Sequence, residues 1–258
     1  MHLIFIRHGD PDYKNDNLTE KGKREAALLT ERILKWKVDD FYVSPYGRAQ
    51  ATIAPALERL GRTAETLEWL HEFDYKVSDP FTKKERGAWD WLPRTYYGEK
   101  KYFNRVEWFK TKTMKSGNIE MQAEKVCTGF DNLLTQYDYT RLEKDVPIYS
   151  CFPHLTDEEA SVDTHLNPDQ KDLDNKNLVF VCHLGVMFLI ISHLTGLSPL
   201  QLWQGFFVAP TSVTVLGAEE RVPGEVVFRV QQLGDVRHLI ENGEPASASG
   251  FYGNVLNL

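Results

Sequence analysis

The run "LVFVC" (178–182) is apolar at every position, and it is followed past His183 by the almost wholly apolar stretch "GVMFLIISHL". A strand without polar alternation must be covered on both faces, and an apolar helix beside it must be buried. The chain is therefore expected to build a sheet with helices packed on either side. The remaining periodicity agrees. Residues 2–7 read as a first strand, Thr19 as the N-cap of a helix reaching about Trp36, "FYVS" (41–44) as a second strand, and Ser44-Pro45 as cap and first residue of a helix ending near Gly61. "ETLEWL" (65–70) reads as a strand, "MQAEKVCTGFDNLLTQY" as a helix from Met121, "RLEKDVPIYSC" as an edge hairpin, and "TSVTVL" with "EVVFRVQQL" as an antiparallel pair. The expected fold class is α/β: a three-layer α/β/α sandwich with a mostly parallel central sheet. Residues 1–258 are read as a single domain. An insert over 76–120 caps the active site, and an acidic loop occupies 151–177.

Two of these strands end in histidine, at His8 and His183. Past the carboxyl ends of parallel strands, side chains converge on one crevice. Arg7 precedes His8, and Arg48 lies in the first turn of a helix that follows a strand, where free N–H groups face the same crevice. Two guanidinium groups, a helix N-terminus and two imidazoles suit a dianion, and phosphate is the obvious one. Phosphoryl transfer needs cations around the equatorial oxygens and an in-line nucleophile. Neutral imidazole, with an ordinary pKa of about 6.5, is a competent nucleophile near neutrality. His8 is the candidate nucleophile, Arg7, Arg48 and His183 hold the phosphoryl group, and Gly9 lets backbone approach the ligand. Glu72 in "LHEFDY" is the candidate proton donor to the leaving oxygen, with Asp74 and Asp90 near enough to compete.

These segments resemble the histidine phosphatase superfamily, also called phosphoglycerate mutase-like. "FIRHGDPDY" is similar to its Arg-His-Gly signature, "LTEKGKREA" to the Thr-capped helix that follows, "VSPYGRAQATIAP" to its Ser-Pro-x-x-Arg-Ala-x-x-Thr-Ala segment, "VFVCHLGVMFLI" to its second-histidine strand and helix, and "LGDVRHL" (233–239) to its closing segment. The resemblance covers residues 1–75 and about 178–240. It implies metal-independent phosphomonoester hydrolysis through a phosphohistidine on His8, a pocket of Arg7, Arg48 and His183, Glu72 as proton donor, and no cofactor or metal. Leu184 stands where many members carry glycine. The short loop from Asp10 to Asn17 favours a phosphatase over the alternative of a phosphoglycerate-type mutase; a non-catalytic phospholigand-binding relative is the other reading.

Composition bears mainly on partners. A net charge of -7 argues against a nucleic-acid binder. No apolar run is long enough for a bilayer and no export signal precedes the first strand, so a cytoplasmic protein is expected. Cys127, Cys151 and Cys182 form no C-x-x-C pair. Charge is unevenly spread: residues 76–115 hold eleven Lys/Arg against five acids, whereas 151–177 hold seven acids against two lysines, and loose pairing between the two segments is expected. Residues 73–109 also contain eleven aromatics. Most are expected to pack within the insert, while Trp89 and Trp91 are candidates to reach the crevice mouth and contact a small phosphorylated substrate or a phosphoprotein.

Overall fold

The computed structural model of the protein describes residues 1–154 and 176–256. The acidic stretch singled out above falls mostly on 155–175, so both the loop and its pairing with the basic insert lie outside the described residues.

The first strand, β1 (His2–Arg7), shows why the sheet is buried on both faces. Leu3 and Phe5 point to one side and Ile4 and Ile6 to the other, and all four are buried. Two tiny strands, β2 (Pro11–Asp12) and β3 (Asn17–Leu18), pair across the next loop. Helix α1 (Glu20–Ile33) starts where expected, with the Thr19 hydroxyl accepting the Gly22 N–H. Strand β4 (Asp40–Val43) leads to α2 (Gly47–Leu60), which ends on left-handed Gly61 at φ +63°. Only Glu65–Thr66 (β5) of the segment expected as a strand pairs with the sheet. β4 ends at Val43, the partner of Thr66, so no more of it is left to pair with and the chain tightens into a 3₁₀ turn (Glu68–Leu70) that buries Leu70.

The insert holds a two-stranded pair, β6 (Lys76–Ser78) and β7 (Glu85–Gly87), followed by the short helices α3 (Pro93–Tyr97) and α4 (Lys112–Ser116). Its aromatics mostly face inward: Trp91, Tyr96, Tyr102 and Trp108 are buried in the main apolar cluster. Trp91 donates its indole N–H to Ala88 O at 2.7 Å and packs against Tyr102. It therefore belongs to the core of the insert, because its one polar atom finds a partner only three residues away. We expect Trp91→Ala to destabilise the protein by about 3–5 kcal/mol, read as a lower urea midpoint in chemical denaturation.

Helix α5 (Ile119–Thr135) and an edge hairpin, β8 (Thr140–Glu143) and β9 (Val146–Ser150), come next. The apolar run forms β10 (Asn177–Cys182), which leads directly into α6 (Leu184–Thr195). A short α7 (Pro199–Gly205), the long antiparallel strands β11 (Val213–Val222) and β12 (Glu225–Asp235), and α8 (Arg237–Ile240) follow. The eight-stranded sheet runs β5-β4-β10-β1-β11-β12-β9-β8. Its first half is parallel, and β11 onward is antiparallel. One face packs Ile4, Ile6, Val179 and Val181 against Leu29, Ile33 and Ile53 of α1 and α2. The other packs Phe5 and Phe180, stacked at 5.0 Å, against Phe130 of α5 and Phe188 of α6. This is the three-layer α/β/α arrangement, with β1 and β10 side by side and parallel at its centre. Among the described residues no helix is long and apolar enough to cross a membrane.

Candidate active site

Since β1 and β10 pair in register, Arg7 opposite Cys182, the residues that follow them emerge together. The rings of His8 and His183 lie 5.0 Å apart, and both residues are buried. His8 Nδ1 is 2.8 Å from its neighbour's carbonyl, Gly9 O. A carbonyl only accepts, so the proton sits on Nδ1 and the lone pair on Nε2. Burial, together with Arg7 and Arg48, pushes the His8 pKa well below 6.5, so the ring stays neutral in mildly acidic solution.

His183 is set by a residue that sequence reasoning used differently. Ser44 does not cap a helix: α2 begins at Gly47, with Tyr46 at its N-cap. The Ser44 hydroxyl accepts the Tyr46 N–H at 3.3 Å and lies 2.7 Å from His183 Nε2. If it donates to Nε2, the proton of His183 is on Nδ1, a buried atom with no hydrogen-bond partner among the described residues. The helix is capped from outside. Asp16, on the loop between β2 and β3, takes the Gly47 N–H at 2.6 Å and Arg48 Nη1 at 2.5 Å. Nothing local in sequence links positions 16 and 48, which explains why this contact was not foreseen.

Arg7 is held by Val208 O at 2.8 Å, and the Tyr13 ring lies 5.5 Å from the Arg48 guanidinium. The Arg7 backbone carbonyl accepts the N–H of Thr211, a residue at φ +56° whose hydroxyl is 3.2 Å from His238 Nε2. The closing segment thus buttresses the end of β1. After α8 the chain returns to the crevice: Ser247 bonds Asp10, Phe251 packs on Phe207, and a Cβ at Gly250 would come within 3.1 Å of Arg7 Nη2. No motif announced that return.

Glu72 does reach the site. Its Oε1 accepts the N–H groups of Phe73 at 2.7 Å and Val186 at 3.2 Å. Burial raises its pKa above 4.5 despite those N–H groups and the two arginines, which favours the protonated form. The glycine that matters beside His183 is Gly185, since a Cβ there would sit 2.6 Å from Glu72 Oε1 and 3.0 Å from Trp89. Leu184 is simply buried. Asp74 is exposed, and Asp90 lies 3.8 Å from Arg86. Trp89 lies beside Glu72 with a buried indole N–H that has no partner among the described residues, whereas Trp91 turns away into the insert. Unpartnered buried donors are costly. Here Arg7 Nε, Arg48 Nε, His183 Nδ1 and Trp89 Nε1 all belong to residues around one crevice.

Residues 3–107 match the sequence model of the histidine phosphatase superfamily, branch 1. Over this stretch the chain is similar to that superfamily. A fission yeast (Schizosaccharomyces pombe) protein described as a probable phosphatase is 36% identical over 67 residues, a match spanning 22% of this chain and 32% of that relative's length. Solved phosphatase structures share the fold over about nine-tenths of the chain. A phosphoserine phosphatase from Entamoeba histolytica solved with phosphoserine is 18% identical, with a TM-score of 0.53 over 92% of this chain and 98% of that one. A mycobacterial glucosyl-3-phosphoglycerate phosphatase is 16% identical, with a TM-score of 0.56 over 90% and 98%. An alpha-ribazole phosphatase from Shigella flexneri is 18% identical, with a TM-score of 0.53 over 92% and 97%.

Beneath the loop after His8, Glu25 accepts the Asp10 N–H at 2.8 Å, and burial pushes its carboxyl up to about 7 from an ordinary 4.5. Between those two values the folded chain binds more protons than the unfolded one. The contribution is full below 4.5 and is lost as pH rises to about 7. Urea denaturation is expected to show a decline in stability between pH 5 and 8 that is shallower in Glu25→Gln.

Proposed function

We propose that the protein is a phosphomonoester hydrolase that forms a phosphohistidine on His8 without a metal ion. The observation that supports this reading is the His8 Nδ1 contact with Gly9 O at 2.8 Å, which leaves Nε2 free among Arg7, Arg48 and His183. In the first step Nε2 attacks phosphorus as the bond to the leaving oxygen breaks. Arg7, Arg48 and the Nδ1–H of His183 take up charge on the phosphoryl oxygens. Glu72 gives its proton to the departing alkoxide. In the second step the carboxylate left behind takes a proton from water, which attacks the phosphohistidine, frees phosphate and restores both groups. Trp89 offers its indole N–H to the substrate beside the scissile bond. The substrate is a small phosphorylated molecule, a class that includes the phosphoserine and glucosyl-3-phosphoglycerate for which the structural relatives are named.

The test is hydrolysis of p-nitrophenyl phosphate and of an alkyl phosphate in the presence of EDTA, with phosphate and alcohol both measured. Equal release of the two, and a quenched phosphoenzyme that survives base but not acid, is the expected result. Failure to release phosphate from any phosphomonoester, or a requirement for added metal, overturns the proposal. Delivery of phosphate to an acceptor alcohol instead of water makes the protein a mutase.

A further inference from the structure

The opposite end of the sheet carries a second cluster of chemistry-bearing side chains. In the antiparallel half, Val213 lies beside Ile6, near the active site, and Gly217 beside His2. Glu220 is three residues further on, so it lies about 23 Å along the strand from the catalytic end. There the β11–β12 hairpin meets the end of β9: Glu220 pairs with Val226, Val226 with Tyr149, and Cys151 N donates to Gly224 O. This register delivers Cys151 and, three residues later, His154 to the Glu220 carboxylate. The ligand atoms of all three residues lie within 4.8 Å of one another.

We propose that Cys151, His154 and Glu220 form a binding site for a zinc-class divalent cation, with solvent as the fourth ligand. Thiolate, imidazole and carboxylate are the donor types this cation takes in tetrahedral sites. At metal–ligand distances of about 2.0–2.3 Å, neighbouring ligand atoms stand about 3.3–3.8 Å apart. His154 Nδ1 and Glu220 Oε2 are already 3.0 Å apart, so the geometry asks only for small side-chain movements. The carboxylate is also held in place from behind: its oxygens accept the His154 N–H at 3.1 and 3.2 Å and the Gly224 N–H at 2.8 Å. Such outer contacts fix ligand orientation before metal arrives. A cavity of about 470 Å³, lined by Cys151, His154, Tyr137, Tyr139 and Lys176 among others, gives the cation and its water a way in. Binding displaces the thiol proton of Cys151 to solvent, while the imidazole of His154 gives its Nδ1 lone pair to the cation and carries its proton on Nε2. The site ties the end of β9 to the β11–β12 hairpin and takes no part in the hydrolysis proposed for the other end of the sheet.

Calorimetric titration of the full-length chain with Zn²⁺, and spectra with Co²⁺, test this. One equivalent is expected to bind and to raise the melting temperature. The Co²⁺ complex should show a thiolate-to-metal charge-transfer band in the near ultraviolet. That band should vanish in Cys151→Ser and persist in Cys127→Ser and His8→Ala. Affinity should fall tenfold or more in His154→Ala and in Glu220→Gln, while hydrolysis of p-nitrophenyl phosphate in EDTA is unchanged in Cys151→Ser. Absence of binding, a band that survives Cys151→Ser, or affinity within twofold of the native protein in His154→Ala overturns the site.

Discussion

His8→Ala is expected to lower kcat for p-nitrophenyl phosphate by at least ~10³-fold, because it removes the group proposed to accept the phosphoryl covalently. The loss should fall on chemistry and not on binding. Arg7 is anchored by Val208 O and Arg48 by Asp16, so neither arginine depends on the imidazole for its position. Inhibition by inorganic phosphate should therefore change by less than tenfold. Steady-state rates with inhibition curves on both proteins read the two effects separately. A variant that keeps a tenth of native kcat would remove His8 from the reaction, and one that loses phosphate inhibition in parallel would assign it to binding.

Glu72→Gln is expected to act differently on different leaving groups. An alkoxide needs a proton as it departs, so alkyl phosphates should lose about 10²–10⁴-fold in kcat/KM. p-Nitrophenolate leaves without one. Its first step should survive while the second, which needs a base for water, slows; rapid mixing should then show a burst of nitrophenol followed by slow turnover. The pH profile carries the sign. Burial raises the Glu72 pKa, so the native rate on alkyl phosphates should decline as pH climbs through that raised value, and the decline should be missing in the variant. The same experiments on Asp74→Asn and Asp90→Asn are controls, since the first residue is exposed and the second lies near Arg86. If either reproduces the burst and Glu72→Gln does not, the proton donor is that residue.

Much of this was legible where local pattern and tertiary need coincide. The apolar 178–182 run, the alternation in residues 2–7 and the Thr19 cap each describe an element whose neighbours ask for what the local sequence already prefers. The pairing of His8 with His183 followed from strand ends alone. Misreadings came where a long-range partner outbid a local one. Ser44-Pro45 has the form of a helix start, yet the hydroxyl is claimed by His183, 139 positions away, and Asp16 supplies the cap. Residues 67–70 have the residue types of a strand but lie past the end of β4, so no more of it is left to pair with. Trp89 and Trp91 look alike in sequence and differ only in that Ala88 O satisfies the second. The return of residues 247–251 over Arg7 rests on Gly250 at φ +85°, the Ser247–Asp10 hydrogen bond and one Phe–Phe contact, none of which has a pattern to read.

The grip of Asp16 on Arg48 also bears on how a substrate arrives. One of the two crevice cations is already matched by a carboxylate 2.5 Å away, and the chain as a whole carries a net charge of -7. An approaching phosphate dianion therefore meets no strong attractive field at a distance, and fields that do exist fade within about 8–10 Å at physiological ionic strength. On the proposed reading, capture is decided at contact, by donors already aimed into the crevice, and the encounter rate is expected to change little with added salt.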